Sequence, residues 1–349
     1  MTQRDKRRLC FISRNYYNLN SAGNKAKTDT EDTLTDMGAV NIGLHRTLYA
    51  QKGVAFFLNL VGIGRAALAL RRGDVLFLQY PVKKYFTFLC KVAHAKGAKT
   101  VALIHDLGAF RRKKLTIEEE IRRLSHADYV IASNAAMVSW LKAHGLERPV
   151  GEMGLWDFRS SEPIRSAGAA PADGMRRVVY AGTLRLRKNA FLMQLSETLR
   201  DCHLVVVGHK DGLQGLHDGP CVTWHDFMPS DAFIRSIEGD FGLVWDGDST
   251  DTCTGSFGEY LRWNTPHKVS FYLRAGLPVI VWNESAVAAT IEQEGIGLSI
   301  SSLNELPDRV NSLSAEEFQA MKEKVARLAA KINEGYFIRR AVATALKQL

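Results

Sequence analysis

The chain has 349 residues, 46% hydrophobic and 24% charged, a balance that excludes a disordered, collagen-like or coiled-coil protein. Its length suggests two domains at a prior of about 150 residues each. The formal charge of +9 sits entirely in residues 1–175, which carry 27 Lys+Arg against 16 Asp+Glu, while residues 176–349 carry 19 against 21. Five cysteines (Cys10, Cys90, Cys202, Cys221, Cys253) show no CxxC spacing, which argues against a disulfide scaffold and for a reducing compartment. The basic N-terminus is followed by an apolar run over 9–12 only, too short for a secretory signal.

In chain order, β-rich runs are expected at 9–13, 40–44, 75–79, 100–104 and 129–132. Helical stretches fall between and after them at 25–37, 53–70, 83–95 and 135–143. Strand–helix alternation predicts a mostly parallel sheet covered by helices, and the continuously apolar runs at 75–78 and 101–104 read as strands buried on both faces. The stretch 54–70 is the most apolar of its length. Asn59 and Arg65 lie inside it, so it reads as a buried helix rather than a membrane span. The next helix mixes Tyr85, Phe86, Phe88 and Leu89 with Lys83, Lys84, Lys91 and Lys96. That pattern suits either a membrane surface or a core helix with a solvated face. Together with Arg111, Arg112, Lys113 and Lys114, these cations form patches for an anionic partner, or a solubilising face. No nucleic-acid motif accompanies them.

Composition then shifts. Residues 157–175 are rich in Ser, Ala, Gly and Pro without periodicity, as in a linker. Alternation resumes with strands at 178–181, 204–207, 222–224, 242–245, 279–281 and 298–300. Helices follow near 190–199, 230–237, 268–274, 285–294, 315–331 and 336–349. The expected organisation is a first domain over 1–156, the linker 157–175, a second domain over 176–334 and a final helix over 335–349. Both domains are Rossmann-like and doubly wound, and ligands of such sheets bind beyond the carboxyl ends of the strands. Neither GxGxxG after the first strand nor a P-loop is present, which disfavours NAD binding and ATP hydrolysis.

Gly182 directly follows the first strand of the second half, and Arg185, Arg187, Lys188 and Asn189 come next. Such a glycine lets a ligand approach the backbone, and the cations suit a diphosphate or, equally, a solvated loop. Further on, Asn264, Thr265 and Pro266 open a helix whose first turn carries His267 and Lys268. Free backbone N–H groups, the positive end of the helix dipole and a lysine charge converge there on an anion. Glu259 and Tyr260 lie in the preceding loop.

The segments NTPHKVSFYLRAGLPVIVW and FGLVWDGDS, with LIHDLGAFRRK and SAGNKAKTD in the first half, resemble bacterial sugar transferases of the GT-B fold. The match is to the group of β-1,6-galactofuranosyltransferases and the related streptococcal adhesin glucosyltransferase. The resemblance runs over nearly the whole chain, and Pro266-His267-Lys268 is its most specific element. It implies two domains facing across a cleft, a nucleotide-sugar donor on the second, a glycan acceptor on the first, and a last helix that crosses back. It implies no metal and no cofactor beyond the UDP-sugar, an enzyme of cell-surface glycan synthesis, and self-association. Lys268 and the adjacent helix start would hold the diphosphate, assisted by Arg185 or Lys188 and joined by Asn189. Gly182, Glu259, Tyr260, Pro266, His267 and Ser270 would complete the donor site, with Phe227 stacking on uracil. From its place after the fourth strand of the first half, Asp106, or its neighbour His105, is the candidate acceptor base, with Asp29 and Asp32 as competitors, and Asp106 reads equally as a cap of the following loop.

One departure stands out. Retaining GT-B enzymes place a glutamate early in this helix for the donor ribose, whereas Val269-Ser270-Phe271-Tyr272 contains no acid. Asp246-Gly247-Asp248 has the DxD form that holds Mn²⁺ or Mg²⁺ in GT-A transferases, and reads alternatively as a cap and turn. A UDP-glucose-dependent transferase acting on a glycoprotein glycan and a non-catalytic nucleotide-sugar-binding module are the rival functions. A cytoplasmic location, at or near the inner face of the membrane, fits either transferase.

Overall fold

The computed structural model describes residues 7–17, 22–81, 85–111, 115–165, 174–209 and 218–349, with Leu213, Gly215 and Leu216. Among them the chain forms two parallel sheets of six strands each. Met1–Asp157 and Gly335–Leu349 form one compact unit, and Phe158–Glu334 form the other.

The first sheet contains β1 (Leu9–Phe11), β2 (Val40–Asn41), β3 (Val75–Tyr80), β4 (Lys99–Ile104), β5 (Tyr129–Ala132) and β6 (Val150–Glu152), in the order β2-β1-β3-β4-β5-β6. The apolar β3, β4 and β5 fill its centre and are almost wholly buried, as parallel strands covered on both faces must be. Tyr80 pairs with Ile104, so β3 and β4 end level. The chains emerging from them, at Pro81 and His105, leave the sheet side by side. The short edge strand β6 carries no apolar run and is not visible in the sequence pattern.

The second sheet contains β7 (Arg177–Ala181), β8 (His203–Val207), β9 (Val222–His225), β10 (Phe241–Val244), β11 (Val279–Trp282) and β12 (Gly297–Ile300). Its order is β12-β11-β10-β7-β8-β9. Winding reverses between β7 and β10, which opens the ligand crevice of a doubly wound sheet at their carboxyl ends. Tyr180, Phe191, Trp245 and Trp282 lie in one buried cluster of this unit, so the residues that leave the strand ends start from a rigid base.

The two chain crossings are anchored locally. Asp157 is buried and accepts the backbone N–H groups of Phe337 (3.1 Å) and Ile338 (2.7 Å) at the start of the last helix, Tyr336–Gln348. Burial pushes its carboxyl up to about 7, against the pull of those two donors. In the second unit the buried Arg274 donates to Asn333 Oδ1 at 3.1 Å and to the carbonyls of Ser160 and Glu162. Residues 158–165 thus belong to the second unit, while 166–173 lie outside the described residues.

One expectation is overturned. The helix Lys52–Ala69 is not a core helix: only 22% of it is buried, with Ala55, Gly62, Ile63 and Ala66 inside. By contrast, Phe86–Ala95 buries Phe86, Leu89, Cys90 and Ala93 and is a core helix. Lys83, Lys84, Arg112, Lys113 and Lys114 lie outside the described residues.

Candidate functional site

The carboxyl end of β7 passes directly into Gly182. A Cβ there would stand 3.5 Å from Lys268 Nζ, and its φ of 154° favours glycine. Gly208 ends β8 in the same way, and a Cβ on it would come within 2.2 Å of the Gly182 carbonyl oxygen. Gly208 therefore packs against the Gly182 backbone with no room for a side chain, while at Gly182 it is the backbone conformation rather than crowding that favours glycine. The Tyr272 hydroxyl accepts the Ala181 N–H at 2.7 Å and fixes this strand end from the helix His267–Arg274.

Lys268 lies in the first turn of that helix, half-buried, with its ammonium 3.7 Å from the centroid of the Tyr180 ring. Burial lowers its pKa to about 7, Lys188 adds repulsion, and Asp246 opposes both. An amine held so close to neutrality, beside an open backbone and a second cation, would regain its charge next to an anion. The sign for stability follows. The unfolded chain holds more protons between about 7 and the ordinary 10.5, so this lysine destabilises the fold below that window and the penalty is relieved as pH rises through it.

Lys188 ion-pairs with Asp246 at 3.3 Å, and the Tyr180 hydroxyl donates to the same carboxylate oxygen at 3.4 Å. Asn189 is fully buried. Its amide donates to the Tyr180 hydroxyl and accepts the Arg185 N–H at 2.9 Å, so it shapes the loop from inside. Arg185 is exposed and precedes the short helix Leu186–Asn189. Asp246 and Asp248 do not converge as a pair of ligands. The first faces Lys188, and the second accepts from the Thr254 hydroxyl, which itself accepts the Asp248 N–H at 3.0 Å. Among the described residues no group of three or more His, Cys, Asp and Glu side chains forms a metal-sized cluster.

Phe227 follows β9, partly exposed, and stacks on His209 with ring centroids 5.2 Å apart. His209 in turn contacts Asp226 at 2.7 Å. This aromatic pair lies at the carboxyl edge of the sheet, on the β8–β9 side of Gly182. Pro266 immediately precedes the helix that carries Lys268, and the His267 ring packs on Phe158 with centroids 4.9 Å apart. Ser270 is fully buried and its hydroxyl has no hydrogen-bond partner among the described residues. Tyr260 is buried, whereas Glu259 is exposed and pairs with Arg262 at 3.1 Å.

In the first unit, His105 and Asp106 follow β4. Gln79 Nε2 donates to the Lys27 carbonyl at 3.2 Å, which leaves its Oε1 to accept from His105 Nε2 at 2.8 Å. This hydrogen-bond pattern puts the ring proton on Nε2 and the basic lone pair on Nδ1. The ring is also stacked on Trp156, with centroids 4.7 Å apart. Asp106 is half-buried beside it in sequence. The following turn is held by Glu120, whose buried carboxylate accepts the Ala109 N–H at 2.7 Å and the Tyr80 hydroxyl. The competing acids are engaged elsewhere: Asp29 with Lys25, and Asp32 with Arg46 at 2.7 Å.

Sequence reasoning missed Tyr180, Gly208, His209, Gln79 and Glu120. A signal existed for two of them. Gly208 repeats the strand-then-glycine pattern of Gly182, and Thr116-x-x-Glu119 is a capping-box signature for the helix Ile117–Leu124 that carries Glu120. The contact of Tyr272 with Ala181, 91 positions away, left no local trace.

Comparison with known proteins agrees with this architecture. The N-terminal and C-terminal domain models of the glucosyltransferase 3-like family match residues 9–155 and 178–345. The chain is 28% identical to the β-1,6-galactofuranosyltransferase WbbI of Escherichia coli K12, over 95% of this chain and 96% of that one. It is 24% identical to glucosyltransferase 3 of Streptococcus gordonii, over 79% and 80%. Among solved structures, sucrose-phosphate synthase from Thermosynechococcus elongatus superimposes with a TM-score of 0.65 at 13% identity, over 98% and 99%. Two Rossmann-like units, matched from end to end, make this chain a GT-B glycosyltransferase belonging to the glucosyltransferase 3-like family.

Proposed function

We propose that the enzyme transfers a hexose, galactofuranose in the first instance, from a UDP-sugar to a hydroxyl of a glycan acceptor in cell-surface glycan synthesis, without a metal. The observation that carries this reading is the pairing of Lys268 with Gly182 at the switch point of the second sheet. An ammonium poised at the carboxyl end of β7, next to backbone open to a ligand, is what a leaving diphosphate requires. Lys188 and the exposed Arg185 add positive charge on the adjoining loop, and Phe227 with His209 offers a stacking surface for the base. Galactofuranose is favoured over glucose because identity is greater to the galactofuranosyltransferase, 28%, than to the glucosyltransferases, 24% and 23%. In the first unit Asp106 takes the proton of the acceptor hydroxyl, with His105 Nδ1 as the alternative base. Four cysteines buried as free thiols suit the reducing cytoplasm.

UDP release measured over a panel of UDP-sugars tests the reading, with UDP-galactofuranose expected to turn over fastest. Turnover is expected to persist in excess EDTA, since Lys268, Lys188 and Arg185 supply the countercharge. Loss of activity in EDTA with recovery on Mn²⁺ would instead make Asp246 and Asp248 ligands.

The lowered pKa of Lys268 gives a second test. A bound diphosphate favours the charged amine, so UDP binding should take up protons above about pH 7.5, where the terminal phosphate, with a pKa of about 6, is already ionised. Affinity should then fall as pH rises toward 9. Calorimetry in buffers of different ionisation enthalpy reads the uptake directly, and flat affinity with no uptake would remove Lys268 from contact with the anion.

A further inference from the structure

The helix Lys52–Ala69 is inverted relative to a surface helix of a globular protein. Asn59, the one polar side chain from 53 to 64, is turned toward the protein, where its Oδ1 accepts the Asn15 N–H at 3.0 Å. Residues 57, 60, 61, 64 and 68 share the opposite face at helical spacing. Phe57 is 64% exposed there and Leu68 83%, with Leu60, Val61 and the adjoining Phe56 also open to solvent. A helix apolar on its outer face needs a cover.

The helix is a rigid, preformed element. Lys96 Nζ donates to the carbonyls of Leu68 (2.8 Å) and Leu70 (3.1 Å), and Arg8 Nη2 to that of Ala69 (3.1 Å). These cations close its C-terminus and complement its dipole. Charge identifies the cover. From residue 37 to residue 105 the sequence holds ten Lys and Arg and a single acid, Asp74, and that acid is buried against Arg8 at 2.6 Å. Lys52, Arg65, Arg71 and Arg72 are exposed along the helix and just beyond its end. A second copy docked through a twofold axis would set this basic field against itself, whereas an anionic bilayer attracts it and accepts the apolar side chains.

We propose that the helix Lys52–Ala69 lies in the plane of an anionic phospholipid surface, with Phe57 and Leu68 entering the acyl boundary and the flanking Lys and Arg meeting headgroup phosphates. This goes beyond the transfer reaction and stands independently of it.

The test is co-sedimentation of the full chain with vesicles of phosphatidylethanolamine containing phosphatidylglycerol, against phosphatidylcholine alone, with Phe57→Glu/Leu68→Glu as the variant. Both side chains are exposed, so the melting curve should be unchanged. Wild type should sediment with the anionic vesicles and far less with the neutral ones, weaken as salt rises, and lose at least tenfold in partitioning in the variant. Failure of wild type to bind at low salt, or equal binding by the variant, would overturn the proposal. So would light scattering that finds a dimer of wild type converted to monomer by the same substitutions, because a second copy would then be the cover.

Discussion

Replacing Lys268 by alanine is expected to weaken UDP binding at least tenfold while the fold persists. A charge-assisted hydrogen bond to phosphate contributes about 1.5–3 kcal/mol, and about 1.4 kcal/mol is already a factor of ten. The substitution also leaves Asp246 with only Lys188 to balance it in this pocket, and Lys188 would then be drawn further from the ligand. Because the charged amine is disfavoured by its own burial, its removal should not lower stability near pH 7. Calorimetry with UDP, beside a melting curve, checks both halves. Unchanged affinity would exclude Lys268 from the donor site.

The second large effect concerns Asp106. Asp106→Asn preserves shape and removes the basic carboxylate at the carboxyl end of β4. Loss of a general base typically costs about 10²–10⁴ in rate. UDP affinity should be untouched, since Lys268, Gly182 and Lys188 belong to the other unit. The neighbouring His105 supplies the control. Its Nε2 is committed to Gln79, so His105→Asn tests whether Nδ1 is needed. If Asp106→Asn retains full transfer while His105→Asn loses it, the histidine is the base. If both variants are fully active, the acceptor base lies elsewhere in the chain.

How much of this was legible before the structure differs by element. The strands β3, β4, β7, β8 and β11 are continuous apolar runs with turn residues at both ends, and buried parallel strands write that pattern into any sequence. The short edge strand β6 leaves no such run and was invisible. Lys268 could be placed in the first turn of a helix because Asn264-Thr265-Pro266 marks a helix start. What it faces could not be read, since Gly182 and Tyr180 are more than eighty positions away in the sequence. The resemblance groups Asn189 with the donor contacts, yet it braces the loop from inside: a buried amide and an exposed one look alike in sequence. The helix Lys52–Ala69 shows the same limit from the apolar side. Hydrophobicity signals that a surface will be covered and does not say by what. Its core role is what its residues suggest, and its exposure shows only in the fold, where Ala55, Gly62, Ile63 and Ala66 alone are buried.

The most direct test of the central claim is a crystal structure of the enzyme with UDP. The account predicts the diphosphate against Lys268 Nζ and the Gly182 backbone, the uracil on Phe227, and Asp246 still paired with Lys188. UDP bound in the first unit, or held at Asp246 and Asp248 through a metal ion with Lys268 out of contact, would contradict it.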